Sequence, residues 1–312
     1  MKIFHYLPDK KDVSGGIKVH YQLSQLEREI GYDSYIVFDN INTLPKWFKY
    51  NVKHISYSDM HKIANKYTDV IIGYENIEPI LRSGFRNKVS FIQGEVFVNR
   101  QNPYKGITIW FSNNYNKVSL PHLHNNDWFI VSPFIDDNVF YCPNDNFINR
   151  KHIFSIQKRK DGIGAVNKIK SVLDSSFSEQ FKDAINNINI IEDCNEDEFA
   201  KQLQNTKIFI THSYPEGLGL PGLEAMACGC FVVGFTGGGG SVYMEHGINS
   251  YVSHKDGDYS SLARMLELAY NMVTDFCKDT ENIIVSGINT AKRFSKENTK
   301  NQLISALSFF EQ

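Results

Sequence analysis

The sequence predicts an α/β protein made of two doubly wound, Rossmann-like domains with mainly parallel sheets. Apolar runs of strand length alternate with segments of helical period along all 312 residues. That length fits two domains. Glycine turns follow a strand in each half, Gly15-Gly16 near the start and Gly217 with Gly219 further on, and each leads into a helix. Strand, glycine turn and helix form the opening at which doubly wound sheets take their ligands.

The first half supports this element by element. Residues 2–7 read as a strand. Ile17, Val19, His20, Leu23, Leu26 and Ile30 recur at helical spacing until Gly31 ends the run. Strands follow at 35–38, 54–57, 69–73, 89–93, 107–111 and 128–131, with a helix over 77–84. Residues 40–50 are an irregular loop whose Leu44, Trp47, Phe48 and Tyr50 cover the sheet edge, stack on a sugar or anchor a partner. Asn144-Asp145-Asn146 adds polar loop composition after the first half.

The second half repeats the pattern. His152-Ile153-Phe154-Ser155-Ile156 is a strand, 163–175 a helix and 188–191 a strand. An acidic cap at 195–198 starts a helix through Leu203. Strands follow at 207–212, 230–235 and 250–253, with a glycine loop at 237–240 read as flexible. Asp258 caps a helix, and Ile304, Leu307 and Phe310 space out a last one.

Composition excludes several function classes. A hydrophobic content of 42% supports globular cores, and a formal charge of -2 gives no reason to expect nucleic-acid binding. Five cysteines without a CxxC pair read as reduced thiols of a cytoplasmic protein, with Cys228 and Cys230 packed. The apolar start is too short for a signal peptide, and no run approaches 18 apolar residues. Peripheral membrane contact stays open.

The chemistry concentrates in residues 207–229. After the strand, Gly217 and Gly219 let the backbone approach a ligand closely. Leu220 opens the helix and Pro221 suits its first turn. Gly229 suits the left-handed position past its end. The helix start aims unpaired N–H groups at whatever lies over the loop, which is an anion site. Glu216 and Glu224, with seven residues between them, bracket it. A carboxylate repels phosphate but accepts hydrogen bonds from hydroxyls. A diphosphate with a sugar at each end, a nucleotide sugar, meets all three demands.

This segment resembles the signature of glycosyltransferase family 4, the retaining GT-B enzymes, whose motif is Glu, seven residues, Glu. The likeness continues through residues 229–234, 237–240 and 245–252, and through the linker-like run from Ser132 to Phe140. It implies two Rossmann-like domains facing across a cleft, over residues 1–140 and 141–290, with a C-terminal helix at 291–312 crossing back onto the first. It implies a nucleoside diphosphate sugar as donor, a glycan or lipid-linked hydroxyl acceptor, and no cofactor. Glu216 is then the catalytic candidate, near the transferred sugar. Glu224, Gly15, Gly16, Gly217, Gly219, Leu220 and the cationic run Lys158-Arg159-Lys160 are donor-binding candidates. Many relatives carry a histidine near residues 93–95 that contacts the donor sugar. This chain has Gln93-Gly94-Glu95 there, leaving Gln93, Glu95 or His20 for that role.

A short basic run such as 158–160 is usually a solvated turn. Asp256-Gly257-Asp258 has the form of a metal motif, but it precedes a helix, where Asp258 serves as a cap. His122 and His124 have no carboxylate or cysteine at ligand spacing. No metal is therefore expected. A GT-B-like epimerase or phosphorylase, and an accessory subunit without transfer activity, are the alternatives. The paired glutamates and the cationic loop favour transfer.

Overall fold

The computed structural model describes residues 1–9, 14–40, 44–74, 77–94, 98, 104–143 and 147–312. Contacts divide the chain into a first unit, Met1–Phe134 with Lys296–Gln312, and a second, Ile135–Ser295. The divisions fall about six residues before and after those expected at 140 and 290. The physical reason is packing: the Ile135 N–H donates to the Phe294 carbonyl at 2.9 Å, and Phe140 lies in the second unit's core.

The first unit runs β1 (Lys2–Tyr6), α1 (Gly15–Glu29), β2 (Asp33–Phe38), β3 (Lys53–Ser56), α2 (Tyr57–Ile63), β4 (Val70–Gly73), α3 (Glu78–Arg82), β5 (Asn87–Ile92), β6 (Thr108–Phe111), α4 (Asn114–Ser119) and β7 (Trp128–Ile130). Its seven strands are parallel, in the order β3-β2-β1-β4-β5-β6-β7. Both faces are covered, which is why the strands read as near-continuous apolar runs. Phe4, Ile71, Ile92 and Ile109 pack on one face, and Leu7, Ile17, Ile36 and Phe38 on the other. The aromatic loop belongs to the second group: Phe48 meets Tyr21 at 4.8 Å and Trp47 at 4.5 Å, so it covers the sheet. Tyr57 begins α2 rather than ending a strand, because the Ser56 hydroxyl accepts from the Asp59 N–H and caps the turn.

The second unit runs β8 (His152–Gln157), α5 (Gly162–Ser171), α6 (Glu179–Asn186), β9 (Asn189–Ile191), α7 (Glu196–Gln204), β10 (Thr206–Thr211), α8 (Leu220–Ala227), β11 (Phe231–Gly234), β12 (Ser250–Val252), α9 (Tyr259–Thr274) and α10 (Lys278–Lys292). Its five strands are parallel, in the order β12-β11-β10-β8-β9. Strand alternation splits the core: Ile208 and Ile210 face one side with Phe231 and Val233, while Phe209 and Val232 face α7 and α8. Asn195 and Glu198 close a reciprocal capping box at the start of α7, as their spacing predicts.

The chain finishes in the first unit as α11 (Lys296–Ser308). Leu303, Ala306 and Leu307 are its buried stripe, with Thr299, whereas Ile304 is exposed. The apolar spacing of Ile304, Leu307 and Phe310 therefore located the helix but put one wrong residue on its inner face. Gln302 Oε1 accepts from the Ser132 N–H at 2.8 Å, and Lys296 pairs with Glu29 at 2.7 Å. No helix among the described residues is long and apolar enough to cross a membrane.

One buried side chain fixes α8 at its far end. Arg150 donates to the carbonyls of Thr206 at 2.9 Å, Gly229 at 3.1 Å and Cys228 at 2.9 Å. A guanidinium on the last carbonyls complements the helix dipole, and its planar fork serves several acceptors at once. Gly229 turns the chain there at φ +75°, as expected. Arg150→Ala is expected to lower the stability of the second unit by about 2–3 kcal/mol, since the carbonyls lose a charged donor. Arg150→Lys should recover only part. Urea unfolding followed by hydrogen exchange in α8 checks this, and wild-type exchange in Arg150→Ala would contradict the assignment.

Candidate active site

The second sheet reverses its order at β8, which has β9 on one side and β10 on the other. Ligands of doubly wound sheets bind where the order reverses, beyond the strand carboxyl ends. Two loops meet there: residues 158–161, from β8 to α5, and residues 212–219, from β10 to α8.

The first loop is tightly wound. Lys160 and Asp161 both take left-handed backbone, at φ +54° and +67°, costing about 1–2 kcal/mol each for side chains with a Cβ. Asp161 compensates by capping α5, its carboxylate accepting from the Gly164 N–H at 3.1 Å. Gly162 lies so close to the Gln157 carbonyl that a Cβ would overlap it. The turn separates the three cations. The Lys160 ammonium donates to the Glu216 carboxylate, whereas Lys158 pairs with Glu192 beyond β9. The Arg159 carbonyl accepts from His212 Nε2 at 3.0 Å.

His212 ties the two loops together. A carbonyl only accepts, so this bond places the hydrogen on Nε2. Burial holds the imidazole below its ordinary range, which keeps the neutral tautomer.

Glu216 is held by its backbone. Its N–H donates to the Gly237 carbonyl at 2.7 Å, and its carbonyl accepts from the Gly239 N–H at 3.0 Å. This is a single parallel bridge between Glu216 and Gly238. The approach requires glycine: a Cβ on Gly239 would overlap the Gly217 carbonyl, and one on Gly237 would meet Glu216 Cβ at 2.5 Å. The 237–240 run was expected to be a flexible loop. Instead Gly239 and Gly240 are buried in a 3-10 turn, Gly239–Val242. Asp256 anchors its start by accepting from the Thr236 N–H at 3.0 Å, while Asp258 caps α9. Backbone bonding thus accounts for both aspartates of the Asp-Gly-Asp tripeptide.

The helix start is fixed in the same way. Gly219 turns at φ +80°, Leu220 opens α8, and Pro221 sits in the first turn. The buried Tyr243 hydroxyl donates to the Gly219 carbonyl at 2.8 Å, and burial pushes its ionisation up, so it stays a donor. Gly222 has no room for a side chain beneath that hydroxyl. Gln157, Thr211, His212, Glu216, Gly219 and Gly222 line a small cavity of about 30 Å³. Glu224, 5% exposed, is off that lining.

The other candidates lie in the first unit. Gly15 and Gly16 open α1, and a Cβ on Gly16 would come within 2.7 Å of the Tyr74 hydroxyl. Gln93 Nε2 donates to the Gly16 carbonyl at 3.2 Å. His20 is fully buried. Glu95 lies outside the described residues. Sequence reasoning missed His212 and Tyr243, and took Asp256 only as part of a metal-motif form. Of the first two, only His212, a histidine next to the end of an apolar strand, carried a local signal.

Residues 176–284 match the family model of the glycosyl transferases group 1, and the loops around Glu216, the glycine run and Asp256 lie inside that match. Several solved structures share the whole fold. A glycosyltransferase from Rickettsia africae aligns over 100% of this chain and 98% of its own, with a TM-score of 0.74 at 13% identity. Sucrose-phosphate synthase from Thermosynechococcus elongatus aligns over 99% of each chain, at a TM-score of 0.72 and 12% identity. Anabaena HepE in complex with UDP-glucose aligns over 99% of this chain and 100% of its own, at 0.71 and 14%. No curated protein matches the chain in sequence. The fold is GT-B, and the match to the glycosyl transferases group 1 model covers residues 176–284 of it. Glycosyl transfer from a nucleotide sugar is the activity of that class.

The bridge makes a directional prediction. Gly239→Ala should shift Glu216 by about an ångström and lower turnover roughly a hundredfold. Gly247→Ala, at φ +76° with nothing within 4 Å of its Cβ, should cost only about 1–2 kcal/mol of stability and little activity. Nucleoside diphosphate release measured on both variants separates a placement effect from a folding effect. Equal activity losses would contradict it.

Proposed function

We propose that the protein transfers a sugar from a nucleoside diphosphate sugar to a hydroxyl of a glycan or lipid-linked acceptor. Transfer proceeds with retention at the anomeric carbon and without a metal ion, in cytoplasmic polysaccharide or glycoconjugate synthesis. The observation that carries this reading is the Lys160–Glu216 pair beside the start of α8. It joins a cation for phosphate to a carboxylate for hydroxyls at one switch point. A uridine donor is the base of choice, since the similar Anabaena protein is bound to UDP-glucose.

The chemistry follows from charge. As the bond to the anomeric carbon breaks, negative charge builds on the leaving diphosphate. Lys160, Arg159 and the positive end of the α8 dipole stabilise it by preorganised electrostatics, the work a metal would otherwise do. The acceptor hydroxyl attacks from the face the diphosphate leaves, and the leaving phosphate oxygen takes its proton. Glu216 accepts hydrogen bonds from the transferred sugar. Glu224, one turn inside α8 with its side chain leaning toward the helix start, accepts from the ribose hydroxyls. Lys158 contributes long-range charge only, because Glu192 holds it.

The two glutamates give the test. Each charge-assisted hydrogen bond contributes about 1.5–3 kcal/mol. Glu224→Ala should weaken UDP binding roughly ten- to a hundredfold. Glu216→Ala should leave UDP binding nearly intact while depressing turnover of UDP-glucose, because its bonds matter to the sugar and the transition state. Calorimetry with UDP, beside UDP release in excess chelator, measures both. Equal loss of UDP affinity in the two variants sinks the glutamate roles, and strict dependence on a divalent ion sinks the metal-free mechanism.

A further inference from the structure

The first unit has a crevice at the amino ends of its strands. Residues 67–68, 86–88, 105–108 and 125–127 line it, from the turns that enter β4, β5, β6 and β7. Residues 309–312, after α11, complete the lining. The cavity measures about 750 Å³. Doubly wound domains take the ligand they act on beyond the opposite, carboxyl ends of the strands. Strands β4, β5 and β6 are four to six residues long, so about 13–20 Å of sheet separates the two ends.

Hydrogen bonds hold the walls together. Asn87 Nδ2 donates to the Thr68 carbonyl at 3.4 Å, which joins the entry of β5 to that of β4. Asn126 Nδ2 donates to the Ile107 carbonyl at 2.9 Å, which joins the entry of β7 to that of β6. Phe309 packs on Phe129 of β7 at 5.6 Å and carries Phe310 at 5.2 Å. Within these walls lie Arg86, Lys88 and Lys105, from two neighbouring strand entries. None of the three forms an ion pair among the described residues. The Lys88 ammonium donates to the Phe85 carbonyl. Like charges on adjacent strands repel, and an anion between them relieves the repulsion. The carboxylates of the lining do not supply it. Glu311 accepts from the Tyr32 hydroxyl at 2.9 Å, and Asp127 pairs with no cation among the described residues. The His122 ring also lines the crevice, and its Nε2 is buried without a hydrogen-bond partner among the described residues. Buried polar atoms are otherwise almost always paired.

Size and the spacing of these groups select the ligand. The volume suits a molecule of several rings rather than a single ion. Neighbouring strands lie about 4.8 Å apart, so the crevice extends about 14 Å over three strand spacings. The cations stand at its middle, at β5 and β6. Asn125 and Asp127 lie toward β7, and the exposed Tyr67 lies toward β4. A nucleotide gathers its anions at one end. An oligosaccharide carries hydroxyls along its whole length, with anions spaced among them, and its C–H faces suit the rings of Tyr67 and Phe310. A bilayer surface is flat and would meet only the rim of a concave site. We infer that this crevice is a separate glycan site, binding an oligosaccharide that bears carboxylate or phosphate groups. Arg86, Lys88 and Lys105 take its anions, and Asn125 and Asp127 take its hydroxyls. The inference rests on the glycosyltransferase reading and adds to it an acidic glycan, held away from the transfer chemistry.

Calorimetry on the full chain, with hydrogen exchange to locate the bound probe, tests this. The probes are hyaluronan hexasaccharide for carboxylate, a glycerol phosphate hexamer for phosphate, and neutral maltohexaose. An acidic probe is expected to bind roughly tenfold or more tightly than maltohexaose and to protect residues 86–88 and 105–108. Which acidic probe binds shows whether carboxylate, phosphate or both are recognised. Arg86→Ala and Lys105→Ala, both at exposed positions, should each weaken that binding roughly tenfold and leave UDP affinity unchanged. The inference is overturned if neither acidic probe binds, if maltohexaose binds equally well, or if both variants bind like the wild type. Protection of these residues by phosphatidylglycerol vesicles alone also overturns it, in favour of a membrane surface. UDP-glucose binding in any of those cases leaves the glycosyltransferase reading standing. An acidic probe held here by a chain that binds neither UDP nor UDP-glucose keeps the site and removes that reading.

Discussion

The site depends on a short stretch of backbone pairing, Glu216 against Gly237 and Gly239. A carboxylate that serves a ligand cannot also be anchored through its own oxygens, so its position has to come from the main chain. Two parallel strands, β10 and β11, bring their outgoing loops side by side, and the loops continue the sheet pairing for one residue beyond the strands. Side chains would keep them apart, which is why the second loop is a run of glycines. Tyr243, Asp256 and His212 then brace the neighbouring turns with one hydrogen bond each. The carboxylate of Glu216 accepts from the Lys160 ammonium.

Braces of this kind explain what the sequence could and could not tell. The strands were legible because both faces of each sheet are covered, which makes apolar runs such as Lys207-Ile208-Phe209-Ile210 continuous. The α8 turn was legible because glycine and proline have few physical uses at those positions. Short helices were not. α6, eight residues long, buries only Phe181 and Ile185 and presents too few apolar positions to establish a period. The bonds of Tyr243 and Asp256 were not legible because their partners, Gly219 and Thr236, are 24 and 20 residues away, a pairing that only the folded sheet creates. The basic run 158–160 was visible as charge. Its division between Glu216 and Glu192 follows from left-handed turns at Lys160 and Asp161, which no residue preference announces.

The two units also treat buried charge differently. In the second, the Arg150 guanidinium donates to main-chain carbonyls at the end of α8. In the first, one oxygen of Glu27 meets an imidazole and accepts from a hydroxyl. Each solution locks an element that borders a switch point: α8 in one unit, α1 in the other. Buried polar groups thus lie behind the ligand-facing glycine turns, where they stiffen the helix without occupying the crevice.

The first unit is discontinuous in sequence, and this shapes how the protein is made. The Ser132 N–H finds its partner in Gln302, 170 residues later, and the Ser132 carbonyl accepts from Thr299. On the ribosome the first 134 residues emerge early, yet the surface over β7 and α1 stays uncovered until the final helix has been synthesised. The second unit has no such wait, since its residues are consecutive. At about 5–20 residues per second, the interval is on the order of ten to thirty seconds. Through that interval the nascent chain exposes an apolar seat for Leu303 and Leu307, and a chaperone that shields such seats would find its substrate there.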